Sequence, residues 1–236
     1  MKMLAGWGIV LVAILSLSGA AWGASYTLLP LKDAHVFSLW PDTNYGSEPA
    51  HATGCDYGYW LIRLYLGFDL GSLPDGEVIT SARLHMYHFL GMGYGATGVH
   101  VHHLADDSWQ EGLITWNTRP DPDVSLSPEI SYNPAAGHDF PAWMEWDLLE
   151  GAGWDPALDQ ADKTLSLLLK ESEGGDQGHN YYSREYADDP SLQPWLEVTT
   201  AQVPLPAGIW LLGSGLIGVI GFGRPPRRRT RVEVLQ

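Results

Sequence analysis

The residues most able to do chemistry in this 236-residue chain are its histidines, its clustered acids and its many aromatic rings. His100-Val101-His102 places two imidazoles on one face of any strand, because strand side chains alternate with period two, and imidazole is a common metal ligand. His85, His88 and His103 fall on neighbouring strands if the hairpin between them forms, but the same parity sends His103 to the opposite face from His100 and His102 and sets His85 against His88. A His-x-His pair with no matched third ligand is a weak metal signal, and histidine is equally at home on a wet strand face. Asp106-Asp107 and Asp188-Asp189 sit among turn-forming residues and read as solvated turns or as hard oxygen ligands for calcium. A glycosidase pair would need two carboxyl groups roughly 5 to 10 Å apart, a distance that no sequence count supplies. Arg184 beside Glu185 reads as a hydrogen-bonded structural pair rather than a catalytic dyad. No Gly-x-Ser-x-Gly elbow, phosphate loop, Cys-His pairing or dinucleotide fingerprint is present. Aromatic rings offer stacking surfaces instead, and Tyr57, Tyr59, Trp60, Tyr94 and Trp143 fall where loops could present them.

The elements that must position these groups have period two. "YWLIRLYLGFDL" (59–70), "VITSARLHMYHF" (78–89), "TGVHVHHLA" (97–105), "TLSLLLK" (164–170) and "WLEVTT" (195–200) are short strand-forming runs. Turn chemistry separates them at Asn44-Tyr45-Gly46, Pro74-Asp75-Gly76 and Glu173-Gly174-Gly175-Asp176, with Gly46 suited to a positive-φ turn. Phe68, Leu70, Ile79, Leu84 and Met86 are expected to point inward. Trp109 and Trp116 should pin a loop whose backbone Asn117 and Glu111 satisfy. The one helical candidate is "WDPALDQAD" (154–162), where Asp155 can cap and Pro156 can open the first turn. Short strands with long loops predict an all-β fold, a jelly-roll-like antiparallel β-sandwich spanning residues 24–202. In such a sandwich a calcium ion could tie loops to the sheet edge, with Asp33 and Asp147 as its ligands. The lone Cys55 excludes an internal disulfide and reads as a partly buried thiol, with pairing between chains the alternative.

Both ends have a different composition. Lys2, an apolar run from Met3 to Leu17 and the small residues of Ala21-Trp22-Gly23 make a secretory signal peptide of residues 1–23, with a permanent anchor as the alternative. Ala207 to Phe222 carries no charge and is followed by Arg227, Arg228, Arg229 and Arg231. Sixteen helical residues reach about 24 Å, a thin span for a hydrocarbon core of about 30 Å. A transmembrane helix over 207–223 with its arginines on the cytoplasmic side is the expectation. The order of Val203-Pro204-Leu205-Pro206, the glycine-rich "WLLGSGLIG" and the arginine cluster resembles the PEP-CTERM tails processed by exosortase in Gram-negative bacteria. That resemblance makes 203–236 a sorting tail, with the "VPLP" residues and Arg227 to Arg229 as its processing signals. It implies an exosortase-type partner, transient anchoring in the inner membrane, and a destination in the cell envelope or outside the cell. A simple tail anchor is the alternative.

Several blocks of the body resemble one family in order: "DAHVFSLWPDTNYGS" (33–47), "IRLYLGFDLGSLPDGEVITSARLHMY" (62–87), "WQEGLITWNTRP" (109–120) and "YYSREYADDPSLQPWLEV" (181–198). They are similar to DNRLRE-domain proteins, a carbohydrate-binding-module-like group with a jelly-roll sandwich. The second block resembles the family's central pair of strands joined by a turn. Of the family's name-giving motif only Arg63 falls in place, and the resemblance makes it a candidate sugar contact.

Charge bounds the ligand. Lys2 and the arginines at 224, 227–229 and 231 lie outside the body, as does Glu233, so the body carries 27 acidic against 7 basic residues. Such a surface repels nucleic acid and polyanions, and aromatic stacking needs no charge. The sequence therefore points to an exported, non-catalytic cell-surface or extracellular-matrix protein that binds polysaccharide, a neutral one by charge. A purely structural surface protein without sugar affinity, or a free-standing accessory domain of a polysaccharide lyase or hydrolase, are the alternatives.

Overall fold

The computed structural model describes residues 23–93, 98–121, 129–134, 141–150, 154–171 and 176–203. The signal peptide but for Gly23, the apolar stretch at 207–223, Tyr94 and the Glu173–Gly175 turn lie outside the described residues. So do all the tail's processing signals except Val203, which is exposed. Among the described residues no helix is long and apolar enough to cross a membrane.

The body is all-β. Its strands are β1 (Ala24–Leu28), β2 (Pro30–Phe37), β3 (Ala50–Asp56), β4 (Trp60–Asp69), β5 (Glu77–Gly93), β6 (Gly98–Leu104), β7 (Glu129–Pro134), β8 (Ala142–Asp147), β9 (Thr164–Glu171), β10 (Asp176–Tyr182) and β11 (Trp195–Gln202). Helix α1 (Pro156–Asp162) forms where expected: Asp155 accepts from the Ala157 amide and Pro156 opens the first turn. The strands join in the order β1-β11-β5-β10-β3-β4-β9-β6-β7, with β2 added on β4 and β8 on β5. Every pairing is antiparallel.

One core closes this sheet on itself. Leu64, Leu66 and Phe68 of β4, Leu84 and Met86 of β5, Leu165, Leu167 and Leu169 of β9 and Leu196 and Val198 of β11 pack together with Trp146 and Tyr181. Each is an alternate residue of its strand, so period two alone selects the inner face. Burying each of these large apolar side chains contributes about 1.5–3 kcal/mol. The inward set Phe68, Leu70, Ile79, Leu84 and Met86 is buried as expected. Cys55 is buried in β3.

Three local expectations need correction. β4 and β5 are consecutive but not hydrogen-bonded to each other: β4 joins β2, β3 and β9, while β5 joins β11, β10 and β8. The seventeen residues of β5 let it run past β11 and continue along β10, a span that a turn between two equal strands does not predict. Neither does β6 lie beside β5; it pairs with β7 and β9, which takes His103 away from His85 and His88. Gly46 is required for space rather than for a positive φ. A Cβ there would stand 2.3 Å from the Glu111 carbonyl oxygen.

The segment 105–121 lies across the outer face of β2, β4, β9 and β6. Trp109 and Ile114 pack there against Ala34, Val36, Tyr65, Leu104 and Leu168, with Trp116 alongside. Trp109 does pin the loop, and its indole N–H donates to Ser166 Oγ at 3.1 Å. Four of the loop's carbonyls are satisfied from outside it. Lys32 Nζ donates to the carbonyls of Asp107 and Trp109 at 2.8 and 2.9 Å, and Asn44 Nδ2 to those of Glu111 and Ile114 at 2.6 and 2.7 Å. Asn117 instead donates to Asp42 Oδ1 at 2.8 Å, and the Glu111 carboxylate accepts the Asp33 amide at 2.9 Å.

Candidate functional site

The opposite outer face, on β8, β5, β11 and β10, has no such cover among the described residues. It presents His85, Tyr87 and Phe89 from alternate positions of β5. Register places Trp195 of β11 opposite His85 and Trp143 of β8 opposite Tyr87, and Tyr182 ends β10 on the same side. The rings form a connected row. Trp195 stacks on His85 with centroids 3.8 Å apart; Trp143 lies crosswise to both Tyr87 and Trp195 at 5.4 and 6.5 Å. Tyr182 then stacks on Tyr87, Phe89 and Tyr186 at 5.9, 4.4 and 3.7 Å. Such contacts hold each ring in place before any ligand arrives, which lowers the entropy lost on binding.

Charge on this face is mostly negative. Glu145 and Glu197 lie 3.4 and 3.8 Å from the His85 ring nitrogens. Burial nevertheless holds the His85 imidazole below its ordinary pKa. Beyond them, Asp147 faces Arg83 at 3.9 Å. At the far end a hydrogen bond to Tyr182 pushes the Tyr186 phenol up to about 12. Flat rings flanked by carboxylates that can accept from hydroxyl groups make a surface for a pyranose ring, not for a polyanion.

The sequence-derived binding residues scatter. Trp143, 39% exposed, is the most exposed ring of the row. Tyr57 and Tyr59 stand exposed at the tip of the β3–β4 hairpin, where Tyr57 takes a left-handed φ of 41°. Trp60 begins β4 and sits edge-on to Phe37 at 5.8 Å. Arg63 lies 5.2 Å from the Trp116 ring and 2.7 Å from Asp121, in the fastening of the 105–121 segment. The row's other members, Trp195, Tyr87, Phe89, Tyr182 and Tyr186, were not singled out from sequence. The alternation His85, Tyr87, Phe89 was the available signal, but cross-strand register was needed to bring Trp143 and Trp195 to it.

Two groups among the described residues bring three metal-ligating atoms within 4.8 Å of one another: Asp33, His51 and Glu185, and Asp107, Asp159 and Asp162. Asp33 is thus in such a group. Asp147 is in neither, and its Oδ1 accepts the Leu149 amide at 3.0 Å. His100 and His102 share a face as expected, with rings 6.4 Å apart. Asp159 is engaged by His103 at 2.9 Å and by the Trp154 indole. Arg184 Nε donates to Glu185 at 2.6 Å, the structural pair expected. In the interior, His88 and His179 meet at 3.1 Å, and Thr53 donates to Glu171 at 2.9 Å. Burial pushes Glu171 up to about 8 and both imidazoles down to about 4.

A curled antiparallel sheet with an uncovered row of aromatic rings is the build of a carbohydrate-binding module. Residues 24–200 match carbohydrate-binding module family 96, and the chain belongs to that family. None of the curated proteins matches it. Membership in a family of binding modules points to a binding domain rather than a catalytic one.

Proposed function

We propose that this is an exported, non-catalytic protein of the cell surface or extracellular matrix whose jelly-roll-like domain holds a neutral polysaccharide along the aromatic row. The observation that carries the reading is the cross-strand series Trp195, His85, Trp143, Tyr87 and Tyr182, on a face that no other described residues cover, in a carbohydrate-binding module. A body with 27 acidic against 7 basic residues would repel an acidic polymer, and the carboxylates beside the row can accept from sugar hydroxyls. Affinity electrophoresis against neutral glucans, mannans and alginate, in EDTA, tests this. Weak retention by a neutral glycan, insensitive to salt and lost in Trp143→Ala, is the expected outcome. Tight, salt-sensitive retention by alginate would overturn the charge argument, and no retention by any glycan would leave a structural surface protein.

The ends of the chain fit the same reading. We infer that residues 1–23 direct export and that the "VPLP" tail, so like a PEP-CTERM signal, is processed by an exosortase-type enzyme after transient anchoring. Intact mass of the protein from its native envelope or medium should end near residues 203–207. A dominant species retaining Gln236 would reduce the tail to an anchor.

A further inference from the structure

Where β2, β3 and the 183–194 segment meet, three buried polar atoms have no hydrogen-bond partner: Asp33 Oδ1, His51 Nε2 and Glu185 Oε2. Asp33 and His51 are 0% and 1% exposed. Buried polar atoms are almost always paired, so three orphans in one place point to something that satisfies all of them. Asp33 Oδ1 and His51 Nε2 stand 3.3 Å apart, yet no hydrogen bond joins them.

The rest of the cluster is fully engaged. Asp33 Oδ2 accepts the Arg184 amide at 2.9 Å, and the Asp33 amide donates to Glu111 at 2.9 Å. Glu185 Oε1 takes Arg184 Nε at 2.6 Å, while the Glu185 amide donates to Ser183 Oγ at 3.1 Å. His51 Nδ1 faces His35 Nδ1 at 3.1 Å, and Tyr45 stacks on His35 at 4.4 Å. Each side chain is therefore held with one ligating atom to spare.

We propose that Asp33, His51 and Glu185 bind a divalent transition-metal ion, zinc before others. One imidazole and two carboxylates make a zinc-type donor set, whereas calcium takes six to eight oxygens and no imidazole. Bonds of about 2.0 Å at tetrahedral angles place ligand atoms about 3.3 Å apart, the separation seen between Asp33 Oδ1 and His51 Nε2. The 3.1 Å contact between His35 Nδ1 and His51 Nδ1 holds the His51 ring by the nitrogen that faces away from the ion and leaves Nε2 to ligate, the usual support for a metal-bound imidazole. Two carboxylates would balance the ion's charge, and Arg184 has Glu111 at 3.3 Å to oppose it. The ion fastens the 183–194 segment, which carries Tyr186 and leads into Trp195, to β2 and β3.

The test uses the full chain purified without a histidine tag, stripped with chelator and reloaded with zinc or cobalt(II). The proposal expects one equivalent of metal per chain by elemental mass spectrometry and the intense visible bands of four-coordinate cobalt. His51→Ala and Glu185→Gln should each lose both, and His103→Ala should keep both. Chelator should lower the melting midpoint of the parent chain and leave that of Glu185→Gln unmoved, since an ion bound only to the native state stabilises it by mass action. Should His51→Ala fail to fold, the cobalt spectrum of the parent and the Glu185→Gln comparison still decide. Absence of stoichiometric metal, with no cobalt bands and a melt indifferent to zinc and chelator, would overturn it in favour of a proton shared by Asp33 and Glu185. Calcium as the one ion retained would overturn the zinc assignment. Metal content is read without any glycan, so its failure and that of the sugar reading are separate.

Discussion

The two outer faces of the sandwich are made of similar residues and treated in opposite ways. On one, Tyr65 and Leu168 are sealed beneath Trp109 and Ile114, and cations finish the seal: Lys32 sits 4.2 Å over Trp109 and Arg119 3.8 Å over Trp116. On the other, Trp143 touches both Tyr87 and Trp195, and among the described residues no strap crosses them. A chain that covers one aromatic face with its own backbone could cover the second. Large exposed apolar patches on soluble proteins mark binding surfaces, and the covered face supplies the contrast within the same molecule.

The largest effect belongs to the sealed face. Trp109→Ala should destabilise the fold by about 3–5 kcal/mol, the cost of a large cavity, and should leave glycan retention intact at temperatures where the variant is folded. A melt equal to the parent's would show that the strap is not part of the core. Gly46→Ala strikes the same strap by driving a methyl group into the Glu111 carbonyl, and about 1–3 kcal/mol is expected for such overpacking; an unchanged melting midpoint would contradict the close approach.

On the open face the effect should move from stability to affinity. Trp143→Ala should weaken binding of a neutral glycan roughly tenfold, about 1.4 kcal/mol, with a nearly unchanged melt. Loss of the fold instead would make the row a second core.

Inside the sandwich the expected effect is one of pH. Glu171 is held protonated to about pH 8, so its contribution is complete below its unfolded value and is lost as pH rises through 8. His88 and His179 are lowered to about 4, so theirs is complete above the ordinary histidine value and is lost as pH falls through 4. Stability should therefore peak near neutrality. Glu171→Gln should flatten the alkaline side of a melting-against-pH profile and steepen the acid side, where the Glu171 slope opposes that of the histidines; an unaltered alkaline side would show that Glu171 is ionised in the fold. Least of all, Tyr59→Ser should change glycan affinity less than twofold, and a loss matching Trp143→Ala would move the site to the hairpin tip.

Much of the fold was legible because period two reports burial directly: the strands of β4, β5, β9 and β11 and their inward residues follow from alternation alone. Helix α1 was equally plain from its cap and proline. The candidate site was harder. Trp143 looked like one loop residue among several, because its partners Tyr87 and Trp195 lie far off in sequence and meet it only through register. Asp33 could be singled out, but His51 and Glu185 join it through a β2–β3 contact and an excursion from β10 that no spacing encodes. Arg63 shows the reverse: a position suggestive by resemblance is occupied in fastening a loop to its own sheet.

The pairing of β1 with β11 sets Ala24 opposite Thr200, so both ends of the domain emerge at one corner. Trp195 stands at the other end of that same strand, about 23 Å away at the usual rise per residue. A glycan seated at Trp195 and a chain continuing past Gln202 thus grip opposite ends of β11. Tension between them acts lengthwise along a strand flanked on both edges, by β1 and β5. Because the row also belongs to β5 and β8, load entering there reaches β11 across the β5–β11 ladder, whose hydrogen bonds are sheared together instead of opening one after another as they would under a sideways pull.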